Sequence, residues 1–219
     1  MLSNNYLELG PDGKAILTAN IQTQLTKANS ESKLNYPDYI KKIENIFSLA
    51  PLPSVKQEAK LFTAGFIEGE GSFNVSAKKT KFSKFGLVID PEFSITQHVN
   101  GVVHLHRAMN IFNAGKIRYK AGSNATMVFI IDNRLTLTNK VLPYWEEYIL
   151  PHSCPEKIAR VNKFKSLLSL FDAGAHQTKE SFMYKILPLW DEMRMQKGQV
   201  NETFKSLQDA QDFVALYKN

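Results

Sequence analysis

Two carboxylates stand two residues apart in the stretch "AGFIEGEGSF", Ala64 to Phe73, among three glycines and directly after an apolar run. Glu68 and Glu70 are hard oxygen donors of the kind that hold Mg²⁺, and a divalent ion so held activates water and stabilises a leaving oxygen in phosphodiester hydrolysis. A solvated acidic turn is the competing reading of the same tripeptide. A third group joins them through periodicity. In "FSITQ", Phe93 to Gln97, the glutamine follows Phe93 and Ile95 on the parity that turns towards the core, so an amide ends a run of core-facing residues. An acid at Glu70 and an amide at Gln97 thus form the candidate chemistry.

The elements that must position them are legible in the spacing of apolar residues. A short helix is expected from about Tyr39 to Phe47, where Ile40, Ile43 and Phe47 share a face, and "LAPLPS" breaks it. A second helix runs from Val55 through Leu61 and Phe62 to Ile67, with the glycines at 69 and 71 ending it. The period then changes from helical to alternating. Phe73, Val75 and Ala77 take one parity of a strand; Leu87, Ile89, Phe93 and Ile95 take one parity of the next, where Pro91 suggests an edge or a bulge. Val102, Leu105, Met109 and Phe112 mark a helix closed by Gly115, "KIRYK" is a third strand, "AGSN" a turn, and Met127, Phe129 and Ile131 a fourth strand. Beyond Asp132 the pattern is helical. Pro155 opens a helix stopped at Gly174, a further one is perturbed by Pro188, and Ser206 with Asp209 caps the last. The first 30 or so residues, rich in Ser, Asn, Thr and Gln around a "GPDG" turn, read as a loosely packed arm.

The polar parity of the four strands carries Asn74, Ser76, Lys78, Asp90, Glu92, Ser94, Lys116, Arg118, Lys120 and Thr126, with Lys79 beside Lys78. Cations, amides and hydroxyls from separate strands on one face are what a twisted sheet laid into a DNA major groove requires. The formal charge of +6 agrees: residues 72 to 122 hold eight cations against Asp90 and Glu92, which accounts for all of it. A solvated lysine-rich loop is the alternative for Lys78 to Lys84.

Composition bounds the rest. At 219 residues and 43% hydrophobic, the chain suits one sizeable core, or one core plus an appended subdomain; it has no apolar run of membrane-spanning length, and its amino terminus lacks a basic-then-apolar signal, so a soluble, non-membrane protein is expected. Cys154 is the only cysteine, which excludes an intrachain disulfide and suits a reducing compartment. His104 and His106 are two apart on a helix and face apart, a poor metal pair. No phosphate-binding loop or dinucleotide fingerprint is present, so no nucleotide cofactor is expected. Trp145, Trp190, Tyr144 and Tyr148 read as core.

The segment "TAGFIEGEG", Thr63 to Gly71, followed by an alternating strand and then by "FSITQ", resembles the signature of the LAGLIDADG homing endonucleases. The helix, strand, strand, helix, strand, strand order is similar too, and "SKFGLVIDPEFSITQHVNG", "GSNAT", "IDNR" and "LPLWDEMR" resemble endonucleases encoded by introns in chloroplast large-subunit ribosomal RNA genes, the Ceu type. The resemblance implies an α+β fold, an αββαββα core with a curved four-stranded antiparallel DNA-binding sheet and flanking C-terminal helices. It implies that Glu70 is the metal ligand, joined by the Gly69 carbonyl, and that Gln97 orders water beside the metal. Glu68 serves the helix end, and Ala64 and Gly65 let two motif helices pack across a dimer interface. The implied ion is Mg²⁺, with Mn²⁺ as a substitute and Ca²⁺ binding without supporting cleavage; the implied setting is organellar, the chloroplast stroma. Thr63 stands where leucine is usual, Gly101 where a relative has arginine, and neither His152, Lys157 nor Arg160 in the "LPHSCPEK" region is assigned as a catalytic base.

The expected organisation is an arm with a short helix at 1–54, a core at 55–150 and C-terminal helices of the same domain at 151–219. "LFDAGAH" near Asp172 is no second copy of the motif, so a two-strand break implies a homodimer on a long pseudo-palindromic double-stranded DNA target. An RNA-binding splicing factor (a maturase) and a non-catalytic DNA-binding module on the same fold remain the rival readings.

Overall fold

A computed structural model describes residues 6–31, 35–52, 54–120, 123, 125–194 and 203–218. The turn residues Ala121, Gly122 and Asn124 of the expected "AGSN" connection lie outside them. The chain begins with a hairpin, β1 (Leu7–Leu9) and β2 (Ala15–Leu17), followed by helices α1 (Ala19–Ser30), α2 (Tyr36–Phe47) and α3 (Gln57–Glu70). Strands β3 (Gly71–Lys79) and β4 (Leu87–His98), helix α4 (Val102–Phe112) and strands β5 (Lys116–Tyr119) and β6 (Thr126–Ile131) come next. Residues 134–149 are helical with π turns at Leu137–Val141 and Trp145–Ile149, on either side of Pro143. Helices α5 (Pro155–Asp172), α6 (Leu187–Arg194) and α7 (Leu207–Leu216) complete the chain. The four later strands form a sheet in the order β3-β4-β6-β5, and Pro91 lies buried within the length of β4.

The residues group into two compact units, the first comprising Met1–Ser72, Ser94–Ile131 and Tyr144–Ile149. Here the expectation of a loosely packed arm gives way. "GPDG" does turn the chain, with Gly10 N–H donating to Lys14 O at 2.8 Å, but the residues after it are amphipathic: Leu17, Ile21, Leu25 and Ala28 are buried. Polar residues fill the opposite side of α1 and mask its period. The packing protects β5, the outer strand: Ile117 N–H donates to the Tyr39 hydroxyl at 3.0 Å, and the Asn29 amide donates to Ile117 O at 2.9 Å. An exposed ladder edge is thereby closed. Helix α2 starts three residues earlier than its apolar period suggests, because Asn35 caps it by accepting from Asp38 N–H and Pro37 occupies its first turn. Helix α4 packs on α2 through a buried pair, His106 Nε2 and Glu44 Oε1 at 3.0 Å. Tyr144 and Trp145 are buried, as read from the sequence, and the Tyr144 hydroxyl donates to Lys60 O on α3 at 2.6 Å.

The second unit comprises Phe73–Phe93, Asp132–Pro143 and Leu150–Asn219. Its core is aromatic: the Phe73 ring lies 5.0 Å from Phe93 and 5.2 Å from Phe164 of α5, and Trp190 of α6 is fully buried. Pro155 opens α5, Gly174 leaves it in the left-handed region at φ 75°, and a reciprocal Ser206–Asp209 box caps α7, all as the sequence indicates. Pro188 perturbs its segment without breaking it: the chain is helical from Lys179 to Arg194, and a π turn at Phe182–Ile186 precedes the proline, which has no N–H to donate.

Candidate active site and nucleic-acid face

Helix α3 runs through Gly69 to Glu70 and passes into β3 without a loop. Gly71 makes this possible. A Cβ there would stand 2.6 Å from Ile67 O and 2.7 Å from Ile67 Cγ2, and the Gly71 N–H donates to that same carbonyl, closing the helix. Gly69 and Glu70 are exposed at the carbonyl end of the helix, where the aligned peptide dipoles carry partial negative charge and the last carbonyls have no further turn to bond. A carboxylate and a carbonyl at such an end are two hard donors that suit an oxygen-seeking cation, with most of its shell left to water and substrate. Among the described residues no group of three or more His, Cys, Asp or Glu stands together.

Gln97 lies near the end of β4, in the same unit as Glu70. Its Oε1 accepts the His98 N–H at 2.8 Å, which leaves the Nε2 amide as the donating end. The side chain is seated on Gly101, where a Cβ would lie 2.6 Å from Gln97 Cγ and 2.9 Å from Cδ. In the sequence Gly101 stands out only as a place lacking an arginine; its role as the floor beneath Gln97 appears only when strand and helix meet.

The outward stripe of α3 is unusual for a helix with a dry face. Leu61 and Phe62 are 54% and 52% exposed, and at Gly65 and Gly69 an added Cβ would meet nothing within 4 Å. Among the described residues nothing therefore demands glycine at these two positions. His104 and Phe66 flank the stripe, their rings 5.0 Å apart, and the Arg107 guanidinium stands 5.2 Å over Phe62. Glu68 is half-buried beside it. Ala64 is not on this face: at 100° per residue it turns inward, and it is 4% exposed.

On the second unit's hairpin, alternate burial puts Asn74, Ser76 and Lys78 of β3 and Val88, Asp90 and Glu92 of β4 on the half-exposed parity. Lys78 Nζ and Asp90 Oδ2 pair at 3.1 Å. Asn74 Oδ1 accepts from Arg160 at 3.3 Å. Lys79 falls on the other parity, its ammonium over the rings of Phe204 and Phe213 at 4.4 and 5.0 Å. In the first unit, Lys116 and Arg118 are exposed on β5, paired in register with Ile130 and Val128 of β6, which with Thr126 share the half-exposed parity. Lys116 Nζ donates to Asn29 O at 3.0 Å, and Lys120 lies just past β5, its N–H donating to Thr126 O at 2.9 Å. Ser94 is 7% exposed and does not join the open face. Val88, Val128 and Ile130 escape a reading of the sequence because an apolar residue on the polar parity looks like noise in an alternation.

Arg160 is a structural clamp. Its guanidinium donates to Phe73 O at 2.6 Å, Met193 O at 2.9 Å and Asn74, and burial lowers its pKa from the usual arginine value. Cys154 is exposed and in no disulfide.

The LAGLIDADG endonuclease family profile matches residues 63–168, which contain Glu70, Gln97 and all four strands of the sheet. DNA endonuclease I-CeuI of Chlamydomonas moewusii is 51% identical over 197 residues, covering 89% of this chain and 90% of its own. The solved structure of the group I intron-encoded homing endonuclease I-CeuI complexed with DNA superposes with a TM-score of 0.85 at 48% identity, covering 94% of this chain and all of that one. An archaeal intron-encoded homing endonuclease, I-Vdi141I complexed with DNA, gives a TM-score of 0.63 at 25% identity over 73% of this chain and 97% of its own. I-SmaMI bound to uncleaved DNA in the presence of calcium ions gives 0.58 at 26% identity, over 71% of this chain and 49% of that one. With the α+β order of helices and the antiparallel four-stranded sheet expected from the sequence in place, the chain belongs to the LAGLIDADG endonuclease family.

Proposed function

We propose that this protein is a homodimeric, site-specific double-strand DNA endonuclease of intron homing, with one divalent-metal-bearing site per chain. The observation that carries the proposal is the end of α3, where an exposed carboxylate and carbonyl at Glu70 and Gly69 stand beside a helix face, Leu61, Phe62 and Gly65, that the described residues leave exposed. One such end serves one strand, and a second copy across that face serves the other. The similarity to I-CeuI over nearly the whole chain supports the same reading.

Glu70 and Gly69 would hold the ion, Mg²⁺ by preference with Mn²⁺ as substitute, and the ion when bound supplies water activation and charge stabilisation at the scissile phosphate. Gln97 presents its Nε2 amide to a water or phosphate oxygen, because Oε1 is already committed to His98 N–H. Lys78, Lys116, Arg118 and Lys120 contribute phosphate and base-edge contacts, and Val88, Val128 and Ile130 contribute apolar contacts such as those to thymine methyl groups. The resemblance to chloroplast ribosomal RNA intron endonucleases supports an organellar setting, the chloroplast stroma, and a target in the large-subunit ribosomal RNA gene.

Linearisation of a plasmid carrying that intron-insertion sequence tests the reading. Cleavage is expected in Mg²⁺ and absent in Ca²⁺, with binding in both; Glu70→Gln keeps binding and loses cleavage. Tight binding without cleavage in Mg²⁺ and Mn²⁺ would leave a binding module, and preference for the intron RNA over the DNA would leave a splicing factor.

A further inference from the structure

The open stripe of α3 is flanked by one turn of α4, and that turn carries two groups whose charge matters there, His104 and Arg107, both half-buried. The His104 ring packs against Phe62 at 5.4 Å and against Phe66 at 5.0 Å, and the Arg107 guanidinium stands 5.2 Å over Phe62. Phe62 is 52% exposed, so a second chain laid on it also closes over the imidazole packed against it. Arg107 Nη1 lies 3.5 Å from His104 Nδ1. A guanidinium has donors only, so in the neutral ring Nδ1 is the acceptor and the proton sits on Nε2. A second proton, at Nδ1, removes that acceptor and sets two cations side by side.

The charge that acts on His104 is that of Arg107: burial first, and then this guanidinium, lower its pKa from the usual histidine value. Of the other elements packed on α4, β6 and the turn Val99–Gly101 have no ionisable side chain, and His98 before that turn accepts from Asn100 N–H. Helix α2 directs Glu44 to His106, Lys42 to Glu31 and Lys41 to Asp38. On α3, Lys60 reaches Tyr148, Glu68 and Glu70 lie beyond Phe66 towards the end of the helix, and the exposed Glu58 lies one turn before Phe62.

We infer that the charge state of His104 controls the association of two chains: the neutral ring lets the α3 face close against its copy, and the protonated ring holds it open. This rests on the homodimer reading above. Closing the face removes the water that stabilises an imidazolium, and two-fold symmetry repeats the His104–Arg107 pair on the other chain, so a charged ring is disfavoured in the dimer. His104 therefore has a lower pKa in the dimer than in the single chain. As pH falls the single chain binds protons first. The dimer is at full strength above the single chain's value, which itself lies below 6.5, and weakens as pH drops through it. Each chain takes up one proton on release, two per dimer, so the dimer Kd rises by up to about 100-fold per pH unit in that range.

The test is sedimentation equilibrium of the full chain at pH 7.5 and 5.5, with near-UV circular dichroism showing that it is folded at both. The wild-type dimer Kd is expected to rise by about tenfold or more at the lower pH. In His104→Gln, whose amide can accept from Arg107 and stays neutral, the change is expected to fall below about twofold. His106→Gln keeps the wild-type response, which separates the pH dependence of association from that of folding. Heats of dilution at pH 6 in buffers of different ionisation enthalpy give a second reading: dissociation takes up protons in the wild type, and His104→Gln removes most of that uptake. An equal Kd at both pH values, the wild-type response retained in His104→Gln, or no proton uptake on dissociation overturns the switch and leaves the homodimer standing. A wild type that sediments as a monomer at pH 7.5 overturns the homodimer reading itself.

Discussion

Gly65→Ala separates what the chain needs from what a second chain needs. Glycine inside a helix is about 0.8–1.0 kcal/mol less favourable than alanine, and at Gly65 an added methyl meets nothing within 4 Å. A lone chain should therefore gain close to the full helix preference, about 1 kcal/mol. In a dimer packed across the α3 face, each new methyl meets the partner helix, and overpacking costs about 1–3 kcal/mol per site. Two symmetric sites give about 2–6 kcal/mol, and the helix preference cancels because folded monomer and dimer share it. The dimer Kd should rise by about 30-fold to 10⁴-fold. Sedimentation equilibrium measures that constant, and urea unfolding at concentrations below and above it measures stability. The variant should be more stable than the parent when dilute and less stable when concentrated, since dimerisation stabilises by mass action. A dimer Kd within threefold of the parent would refute the assignment of this face, and a destabilised dilute variant would refute the claim that the chain itself leaves Gly65 open.

Gly101→Ala would put a methyl 2.6 Å from Gln97 Cγ, so the amide must move by about 1 Å; a displacement of that size costs about 10²-fold in cleavage rate with target affinity retained, measured by single-turnover cleavage beside equilibrium binding. Arg160→Met removes donors at 2.6 and 2.9 Å from the Phe73 and Met193 carbonyls and should destabilise by about 2–4 kcal/mol, read as a lower urea midpoint at unchanged m. The histidines supply a pH dependence. Burial lowers the pKa of His106, opposed by its bond to Glu44, and burial also lowers His104 and His176. Depressed folded values mean the unfolded chain binds protons first as pH falls below 6.5, so stability present above 6.5 is lost in the range beneath it. Urea unfolding at pH 7.5 and 5.5 should show this loss, and His106→Gln should shrink it.

Much of the core is legible in the sequence because its elements are regular. The alternation after Gly71 marks β3, the spacing of Val102, Leu105, Met109 and Phe112 marks α4, and Ser206 with Asp209 announces α7, since caps and periods are local signals. The N-terminal hairpin and α1 are not legible. Helices α1 and α2 cover β5, and neither Tyr39 nor Asn29 carries any mark in the sequence of a bond to Ile117, some 80 residues away. Lys79 shows the same limit from the other side: a lysine among lysines joins a basic patch on paper, whereas its place on β3 points it at Phe204 and Phe213.

By itself the sequence determined the chemistry on offer: an acid at a helix end flanked by glycines, an amide closing a core-facing parity, and a polar strand face carrying the net charge. These follow from residue type and spacing, which are one-dimensional. Which glycine serves which purpose was decided only in three dimensions. Gly71 makes room for Ile67, Gly101 for Gln97, and Gly65 for none of the described residues, because what a missing side chain allows depends on the neighbour that occupies its space.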